Sequence, residues 1–111
     1  MALEKALVVD DDPNICDVLM MYLENEGYSV ILSYDGEEAL VKFNALKPDI
    51  VLLDVMLPSM DGWQVCREIR KKSSVPIIMI TAKGDTFDKV LGLELGADDY
   101  IVKPFDTKEV V

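Results

Sequence analysis

Short apolar runs alternate along the chain with stretches in which apolar residues recur at helical spacing. The first run, at about 7–9, is followed by Asp12-Pro13, which reads as the N-cap and first position of a helix. That helix sets Ile15, Val18, Leu19, Tyr22 and Leu23 at i, i+3, i+4, i+7 and i+8, and Gly27 closes it. A second strand falls at about 29–33. Asp35-Gly36-Glu37-Glu38 then has capping-box spacing, with Glu38 at N3, and opens a helix that packs Ala39, Leu40, Phe43 and Leu46. The third run, Ile50-Val51-Leu52-Leu53, ends in Asp54, and a third helix after Gly62 presents Val65, Cys66 and Ile69. A fourth strand is predicted at about 77–81. The helix after it carries Phe87, Leu91 and Leu95 inward and stops before Gly96, and a fifth strand follows at about 100–103. Asp106-Thr107-Lys108-Glu109 repeats the capping-box spacing, so a fifth helix begins there and the sequence reaches Val111 one turn into it.

The strands are nearly continuous apolar runs, not alternations of apolar and polar residues. Burial on both faces produces that pattern, with helices covering a parallel sheet. The predicted fold is therefore α/β: a doubly wound, five-stranded parallel sheet in the flavodoxin-like order 2-1-3-4-5, its last helix truncated. With 111 residues there is room for one core, so 1–111 reads as one domain that ends within its fifth helix.

Chemistry collects at the carboxyl ends of these strands, where open α/β sheets hold their ligands. Asp10 and Asp11 follow the first strand, Asp54 ends the third, Thr81 the fourth, and Lys103 the fifth. In the predicted order the first and third strands are neighbours, so the three acids converge at the switch-point crevice. Two like charges about 4 Å apart repel by about 4 kcal/mol at an effective dielectric near 20. Crowded carboxylates must bind protons, spread apart or hold a cation. Oxygen-only ligands favour Mg²⁺, which suits phosphoryl chemistry, with Thr81 donating to a phosphoryl oxygen and Lys103 offsetting its charge. One carboxylate is then left to act as nucleophile and form an aspartyl phosphate. Taken singly, each of these residues has a plainer account. A lone Asp after a strand is usually a solvated turn residue or a helix cap, the role assigned to Asp12.

Composition narrows the field. The formal net charge of −10 speaks against nucleic-acid binding by this domain itself. The chain has no histidine, which removes Ser-His-Asp catalysis, imidazole metal ligands and a phosphohistidine of its own. Cys16 and Cys66 lack metal-type spacing and fall among apolar neighbours on helices, so two buried reduced thiols are expected. No stretch approaches the ~20 apolar residues of a membrane span, and no signal-peptide pattern opens the chain, so the expected location is cytoplasmic, away from membranes.

Four segments, LVVDDD, VLLDVMLPSMDG, IIMITA and DDYIVKPF, together resemble the receiver domain of two-component response regulators, in order and over about 6–111. The resemblance implies that Asp54 is the phospho-acceptor for a partner sensor histidine kinase. It implies that Asp11 binds Mg²⁺ directly, that Asp10 does so directly or through water, and that the Met56 carbonyl is a further ligand. Thr81 and Lys103 would hold the phosphoryl oxygens. Thr81 and Tyr100 would form the switch, repacking the fourth helix, fifth strand and fifth helix as a two-state element. Self-phosphorylation from small donors and self-dephosphorylation would accompany this, in a signalling domain that is not an enzyme of metabolism. Pro104 after Lys103 matches the family's Lys–Pro step.

Residues 92–100, GLELGADDY, resemble the winged-helix (OmpR/PhoB-like) branch, whose receivers dimerise through the fourth helix, fifth strand and fifth helix. The corresponding interface here would use a Lys89–Glu109 ion pair, Asp98 or Asp99 against a basic residue further on, and the apolar stripe of Val90 and Leu93. The same stripe would also serve simply to support the fifth helix. DNA would be reached only through a C-terminal domain absent here. A stand-alone receiver that signals by docking proteins is the alternative. A haloacid-dehalogenase-like phosphatase fits less well, because the position two past the nucleophile is Met56 where those enzymes place an acid. A flavodoxin-like FMN carrier fits poorly too, because Asp10-Asp11-Asp12 would repel the phosphate.

Overall fold

The computed structural model describes residues 4–55, 57, 60–82 and 99–103, with Thr81, Ala82 and the final five described through their backbone. Strands β1 (Lys5–Val9), β2 (Ser29–Ser33), β3 (Ile50–Asp54) and β4 (Ile77–Ala82) alternate with helices α1 (Pro13–Asn25), α2 (Gly36–Leu46) and α3 (Gly62–Arg70). Every pairing between these strands is parallel, in the order β2-β1-β3-β4. Beyond β4, the backbone of β5 (Asp99–Lys103) pairs parallel with it, from Ile78 opposite Asp99 to Ala82 opposite Lys103. The α/β parallel sheet expected from the apolar runs is present. The expected fourth and fifth helices, with Phe87, Leu91 and Leu95, lie outside the described residues.

The apolar runs divide by strand alternation between two cores. Leu7, Val9, Val51, Leu53, Ile77 and Met79 face one way and pack with Ala39 and Phe43 of α2 and Val65, Cys66 and Ile69 of α3. Ala6, Val8, Leu52 and Ile80 face the other way, toward Cys16, Leu19 and Leu23 of α1. Helices therefore cover both faces, and each buried Leu, Ile or Val contributes roughly 1.5–3 kcal/mol relative to exposure.

Helix boundaries follow their caps. Asp12 accepts from the Asn14 amide at 2.9 Å ahead of Pro13. Asp35 accepts from the Glu38 amide at 2.8 Å. The return bond from Glu38 goes to the Tyr34 amide at 3.1 Å, one residue outside the usual box. That bond, then the Ser33 hydroxyl and Lys42, hold the Glu38 carboxyl below its ordinary value of 4.5. Asp61 caps α3 by accepting from Gln64 at 2.9 Å, a cap the sequence reading passed over.

Two packing expectations shift. In α1 the fully buried line is Cys16, Leu19 and Leu23, while Ile15, Val18 and Tyr22 are half-buried, so the stripe is centred about one residue from its expected place. Leu46 is 40% exposed, because it sits in the last turn of α2 beside Lys47, whose φ of 48° turns the chain out of the helix. Both cysteines are buried thiols outside any disulfide, as their neighbours implied. Among the described residues, no helix is long and apolar enough to cross a membrane.

Candidate functional site

Asp10 leaves the end of β1 with no exposed surface, and Asp54 ends β3 at 3% exposure. Because β1 and β3 pair directly, with Val9 opposite Leu53, the two carboxylates emerge from adjacent strands at the same sheet edge. Asp11, exposed, completes the group: one oxygen from each of Asp10, Asp11 and Asp54 lies within 4.8 Å of the others.

Local hydrogen bonds hold these acids in place. The Asp10 amide donates to the Ser33 carbonyl at 3.1 Å, tying the turn after β1 to the end of β2. Asp10 Oδ1 accepts from the Asp12 amide at 2.9 Å, so one acid orients the residue that caps α1. Beneath them the Cys16 thiol donates to the Asp10 carbonyl at 3.3 Å. Burial, and secondly the nearby Asp10 charge, push that thiol up to about 11, so it stays protonated as a donor. Asp54 lies opposite Ile80 in β4, and the next amide, Val55, donates to the Ile80 carbonyl at 3.0 Å. The Val55 carbonyl in turn accepts from Gly62 at 2.9 Å, which ties the end of β3 to the start of α3.

Two buried carboxylates with oxygens inside 4.8 Å repel by roughly 3–4 kcal/mol at an effective dielectric near 20. All three donors are carboxylate oxygens, with no nitrogen or sulfur ligand in the group. That chemistry fits a hard divalent cation such as Mg²⁺, which takes one or two carboxylates and keeps several waters.

The other expected residues divide into two sets. Thr81, Tyr100 and Lys103 have their backbones placed: Tyr100 pairs with Met79, Thr81 with Val102, and Lys103 with Ala82. These positions put Thr81 and Lys103 toward the carboxyl ends of their strands, the sheet edge that carries the acids. Asp99 begins β5, opposite Ile78. Met56, Lys89, Val90, Leu93, Asp98, Glu109 and Pro104 lie outside the described residues. The sequence reading missed Cys16 under Asp10 and the closeness of Gly62 to Asp54. No spacing rule in the sequence signals either.

An open parallel sheet with helices on both faces, carrying clustered acids at the carboxyl ends of its adjacent β1 and β3, defines a class of phosphoryl- or metal-handling domain. The particular family follows from comparison, for residues 6–111 match the response regulator receiver domain. The chain belongs to that family, a signalling domain that typically binds Mg²⁺ at an acidic pocket. A Chloroflexus aurantiacus structure assigned to the response regulators is 38% identical, with TM-score 0.93, over 98% of this chain and 92% of that one. The NtrX receiver domain from Brucella abortus is 33% identical, with TM-score 0.89, covering 95% of this chain and 90% of its own. In a longer NtrX structure, 34% identical with TM-score 0.91, the match spans 99% of this chain and 25% of that one.

Proposed function

We propose that this domain accepts a phosphoryl group on Asp54 from a partner sensor histidine kinase and uses the change to control an output. The observation that carries this reading is the convergence of Asp10, Asp11 and Asp54 within 4.8 Å at one sheet edge, in a chain of the receiver family. An Asp54 carboxylate oxygen attacks the donor phosphorus, the bond from phosphorus to the donor nitrogen or oxygen breaks, and an aspartyl phosphate forms. Asp10 and Asp11 would hold Mg²⁺ with Asp54 and the Met56 carbonyl. When bound, the ion offsets charge on the phosphoryl oxygens. Thr81 donates to one of those oxygens, and Lys103 offsets their remaining charge. Thr81 moves toward the new group, Tyr100 enters the space it leaves, and the fourth helix, fifth strand and fifth helix repack. Hydrolysis of the acyl phosphate by water resets the domain.

For output we propose a winged-helix parent acting on DNA, on the strength of residues 92–100, with the domain working in the cytoplasm. The partial coverage of the longer NtrX structure supports a receiver joined to further chain. A stand-alone receiver that docks other proteins is the second reading, favoured by the same fold matching receiver structures at 88% or more of their own length.

The test is intact-mass measurement after incubation with a small acyl phosphate. One phosphoryl group is expected with Mg²⁺ and none with a chelator. If Asp54→Ala still gains that mass, the acceptor assignment fails.

A further inference from the structure

Two glycines touch the segment that carries Asp54, and neither is there for its backbone freedom. Among the described residues, Gly27 is the glycine with positive φ, whereas Gly36 and Gly62 sit at the first positions of α2 and α3. With no positive φ at either position the freedom of glycine goes unused, so another demand holds it there. That demand is space. A Cβ on Gly62 would run into the Asp54 carbonyl oxygen, and would lie 2.8 Å from Val55 Cα and 2.9 Å from the Asp54 carbonyl carbon. A Cβ on Gly36 would lie 2.6 Å from the Met60 carbonyl oxygen and 2.9 Å from both Met60 Cβ and Val65 Cγ2. Most of these neighbours are backbone atoms, which cannot swing aside as the end of a flexible side chain can.

The contacts meet the Asp54–Val55 peptide on one side and Met60 on the other. Gly62 lies against the Asp54–Val55 peptide, whose amide is also bonded to Ile80 of β4. Gly36 presses the start of α2 on Met60, two residues before Gly62, and on Val65 one turn into α3. A side chain at either glycine must displace backbone that leads directly to Asp54. The carboxylate has little room to adjust, being 3% exposed and grouped with Asp10 and Asp11 inside 4.8 Å.

We propose that Gly36 and Gly62 are positioning residues that set the acceptor geometry of Asp54, a role that rests on the phospho-acceptor reading above. Displacing a reacting group by about 1 Å costs on the order of a hundredfold in rate, so even partial shifts are measurable. The experiment compares Gly62→Ala, Gly36→Ala and Gly27→Ala with the parent domain. Phosphoryl uptake from acetyl phosphate is followed by intact mass at saturating Mg²⁺, and stability by urea denaturation. Gly27→Ala is the control: its φ of +97° strains any side chain, yet a Cβ there meets nothing within 4 Å, at the other end of α1 from Asp10. Gly62→Ala is expected to slow uptake by about tenfold or more and Gly36→Ala by about threefold, while Gly27→Ala loses stability and keeps the parent rate. If only one of the two loop-facing variants folds, that one decides. Parent-like rates in the folded variants, an equal slowing in Gly27→Ala, or failure of both variants to fold would overturn the positioning role. No uptake by the parent domain would instead sink the acceptor reading itself.

Discussion

Asp11 differs from its two partners in being exposed, so it is the acid that can be removed with least disturbance to the core. A ligand that binds the folded state alone stabilises it by RT ln(1 + [L]/Kd), about 1.4 kcal/mol at a tenfold excess over Kd. For a domain of this size that is roughly 5 °C in melting temperature. Mg²⁺ is therefore expected to raise the melting temperature of the parent domain by a few degrees, and of Asp11→Ala by much less. Relief of acidic repulsion alone would stabilise the variant, so the quantity to read is the Mg²⁺-dependent shift within each protein. Equal shifts in thermal scans of the two would remove Asp11 from the site. Cys16 shows the opposite situation. It is fully buried, its thiol is kept protonated by burial, and the hydrogen bond that thiol donates supports the Asp10 backbone from below.

At the scale of elements, each helix among the described residues is started by an aspartate: Asp12, Asp35 and Asp61 cap α1, α2 and α3. Loss of such a cap costs about 1 kcal/mol, so Asp35→Ala is expected to lower unfolding stability by about that amount in urea titration. Glu38 adds a pH dependence to the same helix start. Its carboxyl is held below its ordinary value, chiefly by the Tyr34 amide, so its stabilising effect is fully present above the unfolded carboxylate range. It is lost as pH falls through the lowered folded value. The stability difference between the parent and Glu38→Gln should therefore close on acidification. A gap that stays constant down to the acid transition would assign the stability of this turn to Asp35 alone. Lys42, 3.5 Å from Glu38, adds little, because an exposed i,i+4 pair is worth about 0.3–0.5 kcal/mol.

At the scale of the whole molecule, phosphorylation is expected to act through association. The Lys89–Glu109 pair and the apolar Val90 and Leu93 expected from the sequence motivate a symmetric dimer through the fourth helix, fifth strand and fifth helix. A two-fold interface uses each contact twice, so every contact that the fifth helix makes would count in two copies. Exposed ion pairs supply only ~0–1 kcal/mol each, which leaves the apolar stripe to dominate affinity. Sedimentation of the protein should show dimers with beryllofluoride and monomers without it, and Leu93→Asp should abolish the activated dimer. A monomer under both conditions would reject this surface and leave the receiver family intact.

The apolar runs and helical spacings alone determined that the chain builds a parallel α/β sheet covered on both faces, because doubly buried strands leave no polar alternation. They also placed Asp10, Asp11 and Asp54 at strand ends, since each acid directly follows an apolar run. Tertiary structure decided how closely those ends meet. The β1–β3 pairing, invisible in either segment by itself, brings three carboxylate oxygens inside 4.8 Å. It decided too which apolar residues are core: Ile15, Val18 and Tyr22 of α1 are only half-buried, and Leu46 is left exposed where Lys47 turns the chain. The space at Gly36 and Gly62 belongs wholly to that level, because a close approach between backbones distant in sequence leaves no periodic mark on either one.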